Sequence, residues 1–189
     1  MRFTKHSNLE GFHALLSPSN YHWINYSDEK LEDWYRNRLD AALGTRKHEF
    51  AKEAILLRQK QPDNGLTLQR YINDCIGFGM VPEQVLRYSD NIFGTTDAIR
   101  FNENTMELLI FDLKTGVTKS SFKQLMVYVA LFCLEYQIKA HTLKKIELRI
   151  YQYDDVEVYI PELHEIVFIM DRIITFDRTL EELNEEAFA

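Results

Sequence analysis

"GTTDAIRFNENTMELLIFDLKTG", residues 94–116, holds two short apolar runs that are separated by the polar turn "NENT". Two such runs around a cluster of turn residues predict a β-hairpin. Each arm nevertheless contains an acid, Asp97 or Asp112, and Lys114 follows two residues after Asp112. Because strand side chains alternate between faces, Asp112 and Lys114 share one face. Pairing of the arms brings Asp97 near them, so the hairpin predicts a cluster of two carboxylates and one ammonium.

This cluster suits metal chemistry. Two carboxylates at a sheet edge repel each other unless a cation lies between them, and carboxylate oxygens are ligands that Mg²⁺ and Mn²⁺ prefer. A lysine ammonium beside the cation can stabilise developing negative charge, as metal-assisted phosphodiester hydrolysis requires. The alternative is a solvated hairpin face with an ordinary salt bridge. The strongly apolar run "ELLIFDL" argues against it, because charges are rarely placed on a central strand without a partner or a task.

Helical and strand patterns flank the hairpin on both sides. Ser27 is expected to cap a helix that breaks at Gly44 and Thr45, with a second helix starting near Arg46. The segment "PEQVLRYSDNIFG" is expected to lead into the first strand of the hairpin. Further helices are predicted at 68–80, 120–141 and 162–186, and further strands at 144–153 and 156–161, with a turn at Asp154–Asp155. The order predicts an α/β domain with a small mixed β-sheet flanked by helices.

The composition is that of an ordinary globular protein. The chain has 189 residues, of which 46% are apolar and 27% charged, so one domain is expected. No run approaches the roughly 18 apolar residues that a membrane-spanning helix needs. The first residues lack the apolar core of a secretory signal. We therefore expect a cytoplasmic protein with no membrane partner.

The sequence predicts no iron–sulfur cluster, no ATP site and no attraction to nucleic acid through its net charge. Cys75 and Cys133 stand alone without zinc or iron–sulfur spacing, so no iron–sulfur cluster is predicted. No G-x-x-x-x-G-K-[ST] loop is present, so no ATP site is predicted. The formal net charge is −7, whereas most nucleic-acid-binding domains are basic. Any DNA binding must therefore rest on a local basic site.

"GTTDAI" followed by "LLIFDLKTG" resembles the motif of the PD-(D/E)xK nucleases in its D-x-K form. It is most similar to the branch that contains RecB-type helicase–nucleases and CRISPR-adaptation nucleases. Upstream, Gly44 and His48 match the G-x-x-x-H spacing of this branch, and downstream Gln124 and Tyr128 match its Q-x-x-x-Y element. The match covers residues 44–128. It implies a restriction-endonuclease-like core, with a helical region at 1–43 before it and the remaining core and C-terminal helix at 129–189.

The resemblance also implies roles at the site. His48, Asp97 and Asp112 would ligate Mg²⁺ or Mn²⁺, and the backbone carbonyl of Leu113 is a further expected ligand. Lys114 would activate the attacking water or stabilise the transition state, which makes Lys114, Asp112 and Asp97 the expected catalytic residues. Taken alone, His48 is better explained as a surface or capping histidine, and only the combination of motifs favours a ligand.

Other residues are expected to support the site. Gln124 and Tyr128 are one helical turn apart and would position DNA or the lysine, although Tyr128 alone is also compatible with a core tyrosine. Glu83 precedes the hairpin, where this branch often has an acid. Lys119 and Lys123 share a helix face and are expected to contact DNA. With the residues "TRK" at 45–47, Arg100 and Lys114, they predict a basic groove on an acidic body.

The expected function is a divalent-metal-dependent deoxyribonuclease, an exonuclease of recombination, repair or phage DNA processing. Its compartment would be the cytosol of a bacterial or phage-infected cell. Its partners would be DNA, together with a recombinase, single-strand-binding protein or helicase, or further copies of the chain. Two alternatives stay open: a catalytically silent binding or structural subunit with the same fold, and a metal hydrolase that acts on another substrate. The Q-x-x-x-Y and D-x-K motifs together disfavour the second.

Overall fold

A computed structural model describes residues 4–116, 118 and 120–188 of the chain. The chain divides into two compact units, Met1–Leu43 and Gly44–Ala189, and helix α1, Asp28–Leu56, runs through the division. In the first unit, short 3₁₀ segments at Ser7–Leu9 and Pro18–Asn25 precede α1. The Ser27 hydroxyl accepts a hydrogen bond from the Lys30 amide at 3.2 Å, so the predicted helix cap is confirmed. Within residues 4–43 no residue is buried, so this unit depends on local contacts.

The second unit is built on a five-stranded mixed sheet. The strands lie in the order β1-β2-β3-β4-β5, and only the β3–β4 pair is parallel among the described residues. A parallel pair needs a crossover connection, which the helix between β3 and β4 supplies. The α-helices and strands of this unit after α1 are α2 Thr67–Phe78, β1 Val81–Arg87, β2 Phe93–Asn102, β3 Glu107–Leu113, α3 Lys123–Glu135, β4 Lys145–Gln152, β5 Asp155–Tyr159 and α4 Leu163–Phe188.

Helices cover both faces of the sheet. On one face, Ile110 of β3 packs in a cluster with Val129 of α3 and Ile166 of α4. On the other face, Phe111 packs in a cluster with Tyr71 of α2 and Ala51 of α1. Because β3 is covered on both sides, its sequence is an almost continuous apolar run rather than an alternating one. The predicted α/β architecture, a mixed sheet flanked by helices, is confirmed. None of the described helices has both the length and the apolarity to cross a membrane.

Two details of the predicted strands were wrong. Val81–Arg87 is a strand in its own right, not a lead-in to the hairpin. It lies at a sheet edge, where Pro82 removes one donor without breaking an inner ladder. The last hairpin turns at Tyr153 and Asp154, which have φ values of 55° and 56°, and Asp155 already belongs to β5. Positive φ at both central residues is the geometry of a type I′ turn.

The predicted helix break at Gly44 and Thr45 was also wrong, because α1 is continuous through both residues. Gly44 is buried, and an added Cβ at this position would lie 2.8 Å from the Thr115 Oγ1. The glycine therefore permits close approach of the segment that follows β3, and it does not end the helix. The helix that carries His48 therefore passes close to the segment that follows the strand with Asp112.

We expect Gly44→Ala to stabilise the fold less than an alanine substitution in an open helix does, because the Thr115 hydroxyl must move aside for the new methyl group. In an open helix the same change stabilises by about 1 kcal/mol. Gly77→Ala in α2 is the matched control, since an added Cβ there meets nothing within 4 Å. Urea unfolding of both variants and of Gly44→Ala/Thr115→Ala measures the difference. A Gly44→Ala protein that gains stability as Gly77→Ala does would contradict this account.

Candidate metal centre

Three acids lie in one row across the first three strands. The pairing of residues 82 with 98 and 84 with 96 places Glu83 opposite Asp97, and the pairing of 98 with 111 places Asp97 opposite Asp112. Glu83 has a φ of 55°, in the left-handed region that glutamate seldom adopts. Strained backbone of this kind concentrates at functional sites. The row therefore joins the acid of β1 to the two acids of the hairpin.

His48 completes a group of candidate ligands. His48, Glu83 and Asp97 each offer one ligand atom, and these atoms all lie within 4.8 Å of one another. The His48 Nδ1 is 3.5 Å from the Asp97 Oδ2. Two ligands that bind one ion at about 2.1 Å lie roughly 3–4 Å apart, so the set fits Mg²⁺ or Mn²⁺ with little movement. The hydrogen bond to the Asp97 carboxylate raises the pKa of His48 by more than partial burial lowers it, so the pKa is raised.

The Asp97 carboxylate is held in place by the neighbouring strand. Its Oδ2 accepts a hydrogen bond of 2.8 Å from the Leu113 backbone amide. The end of β3 therefore lies against the ligand group. Ligation by the Leu113 carbonyl stays a prediction.

Asp112 lies outside the three-residue ligand group and pairs with Lys114. The residue is buried, with 3% exposure. Burial first, and then the charge of Asp97, raise the pKa of Asp112 to about 6, against the opposing effect of Lys114. The Lys114 Nζ is 2.9 Å from the Asp112 Oδ2. The contact is a close ion pair, and the ammonium offsets the charge of the buried carboxylate. A buried carboxylate beside the carboxylate of Asp97 suits a site that takes a cation.

A chain of hydrogen bonds runs from Lys114 through two side chains of α3 to Thr95 of β2. The Lys114 Nζ donates to the Gln124 Oε1 at 3.0 Å, and the Gln124 Nε2 donates to the Tyr128 hydroxyl at 3.4 Å. The Tyr128 hydroxyl in turn donates to the Thr95 carbonyl at 2.6 Å. An added Cβ at Gly94 would lie 3.1 Å from the Tyr128 ring, so the glycine makes room for this tyrosine. Gln124 and Tyr128 thus both face the site and hold the lysine from α3.

The predicted basic residues are dispersed. Lys47 lines the same cavity as Lys114. Lys123 lines a groove between α3 and α4 beside Phe168, and Arg100 lines a different cavity with Phe132. Lys119 lies outside the described residues. Of the predicted basic groove, the structure therefore brings Lys47 and Lys114 together.

Comparisons with known proteins add no relative. A scan against protein-family models, a search of curated proteins and a search of solved structures each found no match for this chain.

Proposed function

We propose that the chain is a divalent-metal-dependent DNA nuclease of the PD-(D/E)xK superfamily, in its RecB-type and CRISPR-adaptation branch. One observation carries the proposal: the ligand atoms of His48, Glu83 and Asp97 lie within 4.8 Å of one another, and the two acids share a sheet row with Asp112, which pairs with Lys114. Cation ligands and a fixed ammonium side by side are what phosphodiester hydrolysis needs. The activity is proposed to be exonucleolytic and to serve cytoplasmic recombination, repair or phage DNA processing.

The same elements support a restriction-endonuclease-like core. The helix that carries His48, the hairpin that carries Asp97 and Asp112, and the helix that carries Gln124 and Tyr128 all contribute side chains to one region. Four motifs that are separated in sequence therefore meet in space. Chance similarity of short motifs would not require this convergence.

Different side chains have different proposed roles in the reaction. His48, Glu83 and Asp97 would hold Mg²⁺ or Mn²⁺, and Asp112 adds negative charge beside them. When bound, the cation supplies Lewis-acid neutralisation of the scissile phosphate. The Lys114 ammonium places a second positive charge where the phosphorane-like anion develops. Gln124 and Tyr128 keep this ammonium in position, so little reorganisation is needed during the reaction.

A cleavage assay tests the proposal. Purified protein is incubated with end-labelled single-stranded and double-stranded linear DNA and with closed circular DNA, in Mg²⁺, Mn²⁺ or EDTA. We expect metal-dependent loss of linear DNA while circles stay intact. Cutting of circles would replace the exonuclease assignment by an endonuclease with the same site. Folded protein that cleaves no substrate with either metal would refute the nuclease proposal.

The second candidate is a catalytically silent binding or structural subunit of a larger DNA-processing complex. The net charge of −7 favours it, since an acidic chain does not attract DNA by bulk charge. Absence of cleavage together with retained DNA or partner binding would support it. A recombinase, single-strand-binding protein or helicase, or a homo-oligomer, stays the predicted protein partner under either candidate.

A further inference from the structure

A cavity of about 690 Å³ lies between the first two strands and the C-terminal end of α3. It is lined by residues of β1, of the second half of β2, of the β2–β3 turn and of the end of α3. Its volume is within the range of sites that bind a small organic molecule. The candidate metal ligands and Lys114 do not line it. The proposed nuclease function therefore leaves this cavity without a role.

Three aromatic rings line this cavity and pack against one another. The ring centroid of Phe132 is 4.9 Å from that of Phe101 and 5.0 Å from that of Tyr136. Phe132 is buried, whereas Tyr136 is 50% exposed. Rings that are already packed lose little freedom when a ligand binds, which lowers the cost of binding. They suit the aromatic or apolar part of a ligand.

Met106 adds strained backbone to the same cavity. It lies in the β2–β3 turn with a φ of 55°, in the left-handed region where glycine and asparagine are preferred. Strain of this kind concentrates at functional sites. The methionine side chain is flexible and polarisable, so it adapts to ligands of irregular shape. A large apolar residue is therefore kept at the cavity against the preference of the turn.

Arg100 gives the cavity a positive charge. The residue is half-buried, and no described residue forms an ion pair or a hydrogen bond with its guanidinium group. A charge that is partly removed from water is usually paired, because its desolvation is costly. The planar guanidinium matches a carboxylate with two parallel hydrogen bonds. Arg100 is therefore available to an anionic ligand.

Glu103 limits the charge that this ligand can carry. It lines the same cavity and is exposed in the turn after Arg100. Its negative charge repels a second negative charge on a ligand, such as that of a phosphate monoester. Together the two side chains favour a ligand with a single negative charge.

We propose that this cavity binds a small organic monocarboxylate with an aromatic or apolar body. The carboxylate pairs with Arg100, and the body lies against the rings of Phe132 and Tyr136. The unpaired guanidinium and the repulsion from Glu103 assign the head group, and the rings assign the body. This binding site goes beyond the proposed nuclease function and does not depend on it.

The test is an NMR titration of ¹⁵N-labelled protein with 3-phenylpropionate and with its neutral amide, 3-phenylpropanamide. These two probes differ in charge at the head group and share the same body. The titration contains EDTA and no DNA, so its outcome does not depend on metal binding or cleavage. We expect the acid to bind with a Kd of about 1 mM or tighter, and the amide to bind at least about tenfold more weakly.

Two variants assign the head group and the body separately. Arg100→Met should weaken binding of the acid about tenfold and leave the amide within about twofold, since it removes the charge and keeps an apolar stem. Tyr136→Ala should weaken both probes by a similar factor, because it removes a ring that both would contact. Arg87→Met is the matched control. Arg87 is exposed on β1, pairs with Asp90 and does not line the cavity, so both affinities should stay unchanged.

The amide spectrum of each variant without ligand shows whether its fold is intact. Equal binding of acid and amide to the wild type, an undiminished preference for the acid in Arg100→Met, or no shift of cavity signals with about 10 mM acid would overturn the inference. A short peptide with a free C-terminal phenylalanine is a further probe. If it bound more than about a hundredfold more tightly than 3-phenylpropionate, a protein C-terminus would replace the small molecule as the ligand.

Discussion

Asp112→Asn is expected to abolish metal-dependent DNA cleavage and, at the same time, to stabilise the metal-free protein. The loss of activity should exceed about a thousandfold, because the substitution removes a charge next to the ligand group and uncouples Lys114. The gain in stability follows from the burial of Asp112. A carboxylate that is 3% exposed, beside Asp97, is unfavourable in its charged form. Asparagine removes that penalty at nearly the same size.

The stability gain should depend on pH in a defined direction. The pKa of Asp112 is about 6 in the folded chain, against 3.8 for an unperturbed aspartate. The folded state therefore binds more protons than the unfolded state between these values, and wild-type stability falls as pH rises through this window. Two pKa units correspond to roughly 3 kcal/mol, so we expect Asp112→Asn to gain about 1–3 kcal/mol above about pH 6.5 and little near pH 4. Urea unfolding in EDTA at both pH values measures this.

Asp177→Asn is the matched control. Asp177 is also a buried acid, with 6% exposure, but it accepts hydrogen bonds from the Ser89 hydroxyl and from the side-chain amide of Asn91. Loss of its charge should destabilise the fold and leave the specific activity of folded protein unchanged. If Asp112→Asn instead lost stability as Asp177→Asn does, or still cleaved DNA, Asp112 would be a structural residue.

Glu83→Gln is expected to lower Mn²⁺ affinity at least tenfold, or about 1.4 kcal/mol. Glu83 belongs to the group whose ligand atoms lie within 4.8 Å, and glutamine keeps its size while it removes the anionic ligand. His48→Ala should have an effect of similar size. Calorimetric titration with Mn²⁺ at about pH 8 measures both variants. Affinity should fall towards about pH 5.5, because protons compete for ligands, and the pKa values of His48 and Asp112 are both raised.

Glu103→Gln is the control for the metal titration. Glu103 is an exposed acid in the β2–β3 turn, at the other end of the same hairpin. The substitution Glu103→Gln changes the net charge by the same amount as Glu83→Gln and leaves the ligand group intact. Equal affinities of Glu83→Gln and wild type would remove Glu83 from the ligand set, and an equal loss in Glu103→Gln would mean that the effect is only one of net charge.

The hairpin and its neighbours were predictable because local chemistry determines them. The turn residues between two apolar runs fix β2 and β3, and this pairing suffices to bring Asp97 near Asp112 and Lys114. The helical spacing of Gln124 and Tyr128 likewise predicts that both face one side. These parts of the site need little information from distant parts of the chain.

The remaining parts depend on contacts that are distant in sequence. Strand β1 contains Pro82 and lacks clear alternation, so neither the strand nor the register that sets Glu83 opposite Asp97 could be derived from local pattern. The importance of Glu83 was accessible only through the family resemblance. Gly44 looks like a helix break until Thr115 is seen against it. The last turn was predicted one residue too late, because the pair Asp154–Asp155 is a stronger turn signal than the pair Tyr153–Asp154. Only the positive φ of Tyr153 and Asp154 in the structure shows which pair forms the turn.

The most direct test of the account is to locate the cation itself, by anomalous diffraction at the manganese edge from crystals grown with Mn²⁺. The account predicts a strong peak within bonding distance of His48, Glu83 and Asp97, and no such peak in crystals of Glu83→Gln at the same Mn²⁺ concentration. An empty map at these residues, with Mn²⁺ present at a concentration that saturates the calorimetric titration, would contradict the claim that the acids of this sheet serve a metal.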